Sequence, residues 1–247
     1  MSRTFAVVLT LVVACDTAAT TVDAPHADGA SHDGGTATSC ANPLPTTAAD
    51  TLTISGVLDD DTGTGLAGAT LAAFHLGGAS LGTAVTETTG IYQVAATTGG
   101  APIDYLQIAS TGYRGARYFP RAPIAKSTSL AKLPLYTTAN AAMLATTAGV
   151  TQDPARGLAL VTVADCFGSP TANATVTVVP AGTAVVKYVH GDGSTTGTAT
   201  DSTGVAMVFN LPAGTSTLGA IVGATSYHEH AITADPTYIT LVTIAEQ

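Results

Sequence analysis

The sequence predicts an all-β protein made of two similar modules in tandem. From residue 51 onward, short segments of alternating apolar and polar residues are separated by turns rich in Asp and Gly. The same order of segments occurs twice. Only 10% of the residues are charged, there is no Trp, and charged helix-forming runs are missing. This composition is typical of an extracytoplasmic β protein with many turns.

The first fifteen residues predict a targeting signal. Arg3 precedes an apolar run that ends at Ala14 and is followed by Cys15. A short charged start, an apolar centre and small residues before a cleavage site are typical of a secretory signal, and the run is too short to span a membrane. The end of the run resembles a bacterial lipobox, whose cysteine carries a lipid. We therefore expect a signal peptide at 1–14 and a membrane anchor through the lipid on Cys15, with inner and outer membrane both open.

Residues 15–50 predict a disordered tether. They consist mainly of Asp, Ala, Thr, Ser, Gly and Pro, with hardly a large apolar side chain. Such a segment cannot bury enough apolar surface to offset the entropy of ordering. The tether would hold the folded part away from a bilayer.

The first module is expected at 51–137. Its predicted strands include 52–58 and 69–74, joined by a turn at 59–65 that contains three consecutive Asp residues. That acidic turn is either a Ca²⁺ site or, more simply, a solvated turn. The sequence 78–82 matches G-x-S-x-G, but the strand-like residues after it favour a hairpin over a hydrolase elbow.

The second module, at 157–247, repeats the order of the first. Residues 172–176 correspond to 67–71, and the Gly of the next turn recurs as well. The second copy contains nine additional residues around His190, which predict a hairpin tip. Between the modules, residues 138–156 predict a linker. It contains a short helix that begins near Thr138 and ends before Gly149.

These repeated features resemble a known family. The stretches "AGAT" (67–70) and "TTGIYQV" (88–94), followed by Gly112 and Tyr113, are similar to the carboxypeptidase regulatory-like family. The resemblance implies two tandem Greek-key, transthyretin-like β-sandwiches of the kind common in bacterial surface proteins. It implies little about activity. The second copy departs from the pattern at Asn173 and Ala206, where the first has Gly68 and Tyr92.

The cysteine count predicts one disulfide. If Cys15 carries a lipid, Cys40 and Cys166 remain as a pair in an oxidising compartment. Two free thiols, or an intermolecular bond, are the alternatives.

A second candidate site is the His-x-His pair His228 and His230. On a strand these side chains share a face, so both imidazoles are placed to reach one metal ion. A Greek-key sandwich with this pair resembles the intradiol dioxygenases, which bind iron through two Tyr and two His. Two exposed histidines near a strand end are the simpler interpretation. We predict no cofactor.

The function predicted from these features is a non-catalytic binding, adhesion or display module of the cell envelope. Its partner is an unknown protein or glycan, and the hairpin tip with His190, Asp192 and Ser194 is the expected binding loop. The alternatives are a metal-dependent enzyme and a purely structural spacer. The net charge of −9 and the lack of a Lys/Arg cluster exclude a nucleic-acid partner.

Overall fold

A computed structural model describes residues 43–246. The signal peptide, Cys15, Cys40 and the tether up to residue 42 lie outside the described residues. The all-β prediction is confirmed, as is the short helix between the modules. The strands are β1 (Thr51–Asp60), β2 (Thr70–Phe74), β3 (Ser80–Val85), β4 (Ile91–Thr97), β5 (Tyr105–Ala109), β6 (Gly115–Phe119), β7 (Thr128–Ser129), β8 (Leu133–Leu135), β9 (Gly157–Ala164), β10 (Ala174–Val179), β11 (Val185–Val189), β12 (Val205–Leu211), β13 (Gly214–Val222), β14 (Thr225–Ser226), β15 (His230–Ala234) and β16 (Tyr238–Ala245), and the helix is α1 (Thr138–Thr147).

The two modules share the same pattern of strand pairing. In the first, β1 pairs antiparallel with β4 and parallel with β8, and β5 lies between β2 and β6. In the second, β9 pairs antiparallel with β12 and parallel with β16, and β13 lies between β10 and β15. The modules differ in two respects. β3 pairs with β2 whereas β11 pairs with β12, and the two-residue strand β7 pairs with β1 whereas β14 pairs with β13.

A single eight-stranded sheet runs through both modules, in the order β11-β12-β9-β16-β6-β5-β2-β3. The link is β16, which pairs in parallel with β9 on one side and with β6 on the other. The join is five residue pairs long, from Tyr238 beside Gly115 to Val242 beside Phe119. The modules are therefore connected by backbone hydrogen bonds in addition to the linker.

The remaining two sheets pack on opposite faces of this shared sheet. Leu160 and Leu241 point to one face and belong to the core of the first module. Val161 and Val242, the next residues along the same strands, belong to the core of the second module. Because side chains alternate along a strand, each strand of the join contributes to both cores.

The duplication extends to individual hydrogen bonds. In each module a buried Thr accepts a bond from a backbone N–H at 2.9 Å and donates to a carbonyl at 2.6 or 2.7 Å, which fixes the chain where it crosses between sheets. The residues are Ala69, Thr86 and Leu66 in the first module, and Ala174, Thr200 and Thr171 in the second.

Both departures of the second copy have a physical explanation. Asn173 has φ 63°, close to the 72° of Gly68, and Asn is among the residues that adopt this left-handed conformation most readily. In the first module Tyr92 packs over Gly56, where a Cβ would lie 2.6 Å from the Tyr hydroxyl. In the second, Ala206 lies opposite Val161, so the larger side chain of the pair is on β9 and not on β12.

The three consecutive Asp residues form neither a cation site nor a simple solvated turn. Asp59 is buried and accepts a bond from Lys132 Nζ at 2.8 Å. Asp60 accepts bonds from the backbone of its own turn, while Asp61 bonds the N-terminal residues of α1. The helix is capped by Thr137, one residue before the predicted position.

Ordered structure begins before β1. Ala48 donates to the carbonyl of Gly100 at 2.8 Å, and Thr98 Oγ1 donates to the carbonyl of Ala49 at 2.6 Å. The end of the segment predicted as tether therefore lies against the first module. Within residues 43–246, no helix is long and apolar enough to span a membrane.

Candidate functional site

A cleft of about 780 Å³ lies between the two modules. Its floor is the part of the shared sheet at the join, with Tyr118 of β6, Leu160 and Thr162 of β9, and Leu241 and Thr243 of β16. These side chains come from three strands that are far apart in sequence.

The wall of the cleft is the segment 120–134, which follows β6. Pro120, Pro123 and Pro134 lie along it and restrict its backbone. The segment is also held to the first module, since Leu130 donates its N–H to the carbonyl of Ser55 at 2.8 Å. The wall is therefore largely pre-formed, as is usual for small-molecule sites.

The charged residues that line the cleft are all cationic: Arg121, Lys126 and Lys132. No Asp or Glu is among its lining residues within the described part of the chain. Arg121 donates to the carbonyl of Cys166 at 3.2 Å, which ties its guanidinium to the turn after β9. The mouth of the cleft thus carries positive charge in a chain whose net charge is −9.

Hydroxyl groups add polar positions to the apolar floor. Burial raises the pKa of the Tyr118 phenol to about 12, although a hydrogen bond with Thr243 and the charge of Arg121 act in the opposite direction. The phenol is therefore neutral at physiological pH. Together with Thr162 and Thr243 it offers hydrogen bonds beside Leu160 and Leu241.

His228 and His230 lie beside the cleft. The expectation that both side chains are exposed is wrong. His230 is only 8% exposed and His228 is half-buried, with ring centroids 4.8 Å apart and ring planes at 75°. Burial lowers the pKa of His230 to about 4; the neighbouring His228 adds to this, and a hydrogen bond with the backbone of Arg121 opposes it. Burial also lowers the pKa of His228, against the opposing charge of Glu229.

The pair offers two imidazole groups, whereas zinc sites use three or four protein ligands. His230 Nε2 is buried and has no hydrogen-bond partner among the described residues. Across residues 43–246, no group of three or more His, Cys, Asp or Glu side chains is placed to hold a metal ion. Tyr227, next to the pair, is buried, and this burial raises the pKa of its phenol.

The predicted binding loop is a closed hairpin tip away from the cleft lining. The N–H of His190 donates to the carbonyl of Ser194 at 3.0 Å, and Asp192 Oδ1 accepts the N–H of Ser194 at 2.8 Å. This backbone bond from Ser194 lowers the pKa of Asp192. His190 Nδ1 lies 3.6 Å from Asp201, so the structure brings this His to a carboxylate outside the predicted loop.

Sequence reasoning missed the cationic cleft, although a signal was present. From 105 to 152 there is no Asp or Glu, and this stretch holds Arg114, Arg117, Arg121, Lys126 and Lys132. These are more than half of the eight basic residues of the chain. The spacing is too wide to form a basic run, which is why the stretch does not stand out as a cluster.

No protein-family model matches the chain, and no curated protein matches it. Several solved structures are similar at low identity. The Bacillus anthracis TIE protein is 15% identical over 80% of this chain and 34% of its own (TM-score 0.24). Chlorocatechol 1,2-dioxygenase from Pseudomonas putida is 16% identical over 36% of this chain and 60% of its own (TM-score 0.25). A streptococcal ancillary pilin is 13% identical over 80% and 63% (TM-score 0.25). The matches span less than two thirds of each of these chains, and likenesses at this level carry no argument about function.

Proposed function

We propose that this chain is a non-catalytic binding module of the cell envelope, displayed on a tether from the lipid on Cys15. It would belong with lipoproteins whose sandwiches resemble the carboxypeptidase regulatory-like family. The observation that carries the proposal is the cleft at the join of the shared sheet. A pre-formed cleft of about 780 Å³ with an apolar floor and a few convergent polar groups has the characteristics of a ligand site.

The way the modules are joined supports a role in binding over one as a simple spacer. A spacer requires two ends and a defined length. Here β16 pairs with β6, and the join itself forms the floor of the cleft. Cutting or flexing the join would remove the site, so the function we infer depends on the two modules together.

Localisation is tested by labelling and fractionation. Cells that produce the full chain are fed labelled palmitate, and wild type is compared with Cys15→Ala. We expect label and membrane association for wild type and neither for the variant. Fractionation of inner and outer membranes then places the anchor. A wild-type protein that is unlabelled and soluble would refute the envelope proposal.

A metal-dependent enzyme is the second candidate, favoured by the buried, unpartnered Nε2 of His230 beside the ring of His228. Metal analysis of the purified full chain separates the two proposals. Stoichiometric iron or zinc that is lost in His228→Ala and His230→Ala would replace the binding proposal with the enzyme.

The proposed disulfide between Cys40 and Cys166 has a direct test of its own. Peptide mapping of the mature chain without reduction would show the two cysteine peptides joined. Two separately alkylated peptides would contradict the pairing.

A further inference from the structure

We infer that the cleft binds an organic anion with an apolar body, its anionic group held at the mouth by Arg121 and Lys126. This inference rests on the proposed function, because it assigns a ligand class to the same cleft. The ligand class follows from three observations: the sign of the charge, the donors left for a ligand, and the apolar character of the cleft lining.

The sign of the charge distinguishes this cleft from the rest of the surface. Its lining contains Arg121, Lys126 and Lys132 and, among the described residues, no carboxylate. The whole chain has a net charge of −9. An anion is therefore repelled by the net charge of the chain and attracted to the cations of the cleft, which raises its local concentration there.

Two of the three cations retain donors for a ligand. Lys132 Nζ already lies 2.8 Å from the Asp59 carboxylate, whose side chain is only 9% exposed. Arg121 uses one N–H for the carbonyl of Cys166, and a guanidinium has five. Lys126 has no carboxylate within salt-bridge distance among the described residues. Arg121 and Lys126 are therefore the groups that bind the anion, while Lys132 contributes its residual charge.

The lining of the cleft requires an apolar body on that anion. Ala122, Pro123 and Leu130 of the wall present partly exposed apolar surface, and Tyr118 and Thr243 present hydroxyls. A small hydrated ion such as phosphate would leave this apolar surface against water. An aromatic or aliphatic carboxylate or sulfonate covers it, and burial of apolar area supplies about 25 cal/mol per Å².

The experiment compares two fluorescent probes with the same apolar body. One is 8-anilinonaphthalene-1-sulfonate, an anion, and the other is N-phenyl-1-naphthylamine, which is neutral. Each is titrated into the mature full-length protein at low and high salt. We expect one saturable site for the anion, with tighter binding than for the neutral probe. High salt should reduce the difference, because the charges at the mouth are solvent-exposed.

Two sets of variants locate the site. The double variant Arg121→Gln, Lys126→Gln should weaken binding of the anionic probe about tenfold, at about two- to fivefold per exposed charge, and leave the neutral probe unchanged. Lys187→Gln, in β11 and outside the cleft lining, is the matched control and should change neither. Ala122→Trp, in the wall of the cleft, should weaken both probes by filling the space.

The inference is overturned if the anion does not bind, or if it binds equally well to wild type and to the double variant. It is equally overturned if Ala122→Trp has no effect, since the probe would then bind elsewhere. Far-UV circular dichroism and urea midpoints equal to wild type show that each variant is folded. Palmitate labelling of Cys15 is independent of these titrations, so failure here leaves the envelope proposal to its own test.

Discussion

Equivalent cross-strand pairs of the two modules, Gly56 with Tyr92 and Val161 with Ala206, give a sharp test of the duplicated fold. In the first module Tyr92 is 1% exposed and lies opposite Gly56; in the second, Ala206 lies opposite Val161. The perturbation is to build the second arrangement into the first module. The variants are Gly56→Val, Tyr92→Ala and the two combined.

The magnitudes follow from the geometry. Gly56→Val places a Cβ 2.6 Å from the Tyr92 hydroxyl, and overpacking of this kind typically costs about 1–3 kcal/mol. Tyr92→Ala removes a buried ring and leaves a cavity, at about 3–5 kcal/mol. If the two costs added, the double variant would lose about 4–8 kcal/mol.

The double variant should lose far less than that sum. Val fills part of the space that the ring leaves, and its clash disappears with the ring. The Tyr92 hydroxyl is buried and has no hydrogen-bond partner among the described residues, so its removal costs no bond there. We expect a loss of about 1–3 kcal/mol and therefore a coupling energy of about 3–5 kcal/mol between the two sites.

The assay is equilibrium unfolding in urea, followed by far-UV circular dichroism. Tyr fluorescence is unsuitable because Tyr92 is one of eight Tyr residues and there is no Trp. The reverse exchange in the second module, Val161→Gly with Ala206→Tyr, is the matched control and should show the same sign of coupling. Additivity within about 0.5 kcal/mol would refute the reasoning, since it would mean that the two side chains do not share one space.

Three further predictions concern single positions. The pKa of His230 is about 4 in the folded chain against an ordinary 6.5, so between these pH values the unfolded chain binds one proton more than the folded chain. The free energy of unfolding should therefore fall by about 3 kcal/mol as the pH drops from 6.5 to 4. His230→Gln should remove that loss, as measured in acid unfolding curves. Thr86→Val and Thr200→Val each leave a buried N–H and a carbonyl without their hydrogen bond, and each should lower the free energy of unfolding in urea by about 2–4 kcal/mol. Ser at either position keeps the hydroxyl, so Thr86→Ser and Thr200→Ser should retain most of that stability. Asn173→Ala should cost about 1–2 kcal/mol because of its positive φ, and Asn173→Gly should be nearly neutral by thermal unfolding; equal losses would contradict the conformational argument.

Most of the modular fold could be predicted from the sequence, because its signals are local. Alternation along β4 places Tyr92, Val94 and Ala96 inward, and the observed burial follows it. Turn residues such as Gly68 mark where the chain reverses. The repeat was visible because equivalent turns need equivalent residues, even where Asn173 replaces Gly.

The surroundings of the histidine pair and of Asp59 could not be predicted, because they depend on contacts over long sequence separations. His228 and His230 were expected to be exposed, yet His230 lies beneath the backbone of Arg121, more than a hundred residues earlier. The Asp59 carboxylate looked like part of a solvated turn, but Lys132 reaches it across the first module. Nothing local to either segment marks these contacts.

The sequence by itself indicated the all-β class, several of the strands and turns, the repeated order of segments and the short helix, since each depends on residues close together in the chain. Only the tertiary structure decided that β16 pairs with β6, that the two small sheets lie on opposite faces, and that a cationic cleft opens where the modules join. Backbone hydrogen bonds between strands carry no side-chain code, so a pairing between modules leaves little trace in either strand. The cleft follows from that pairing.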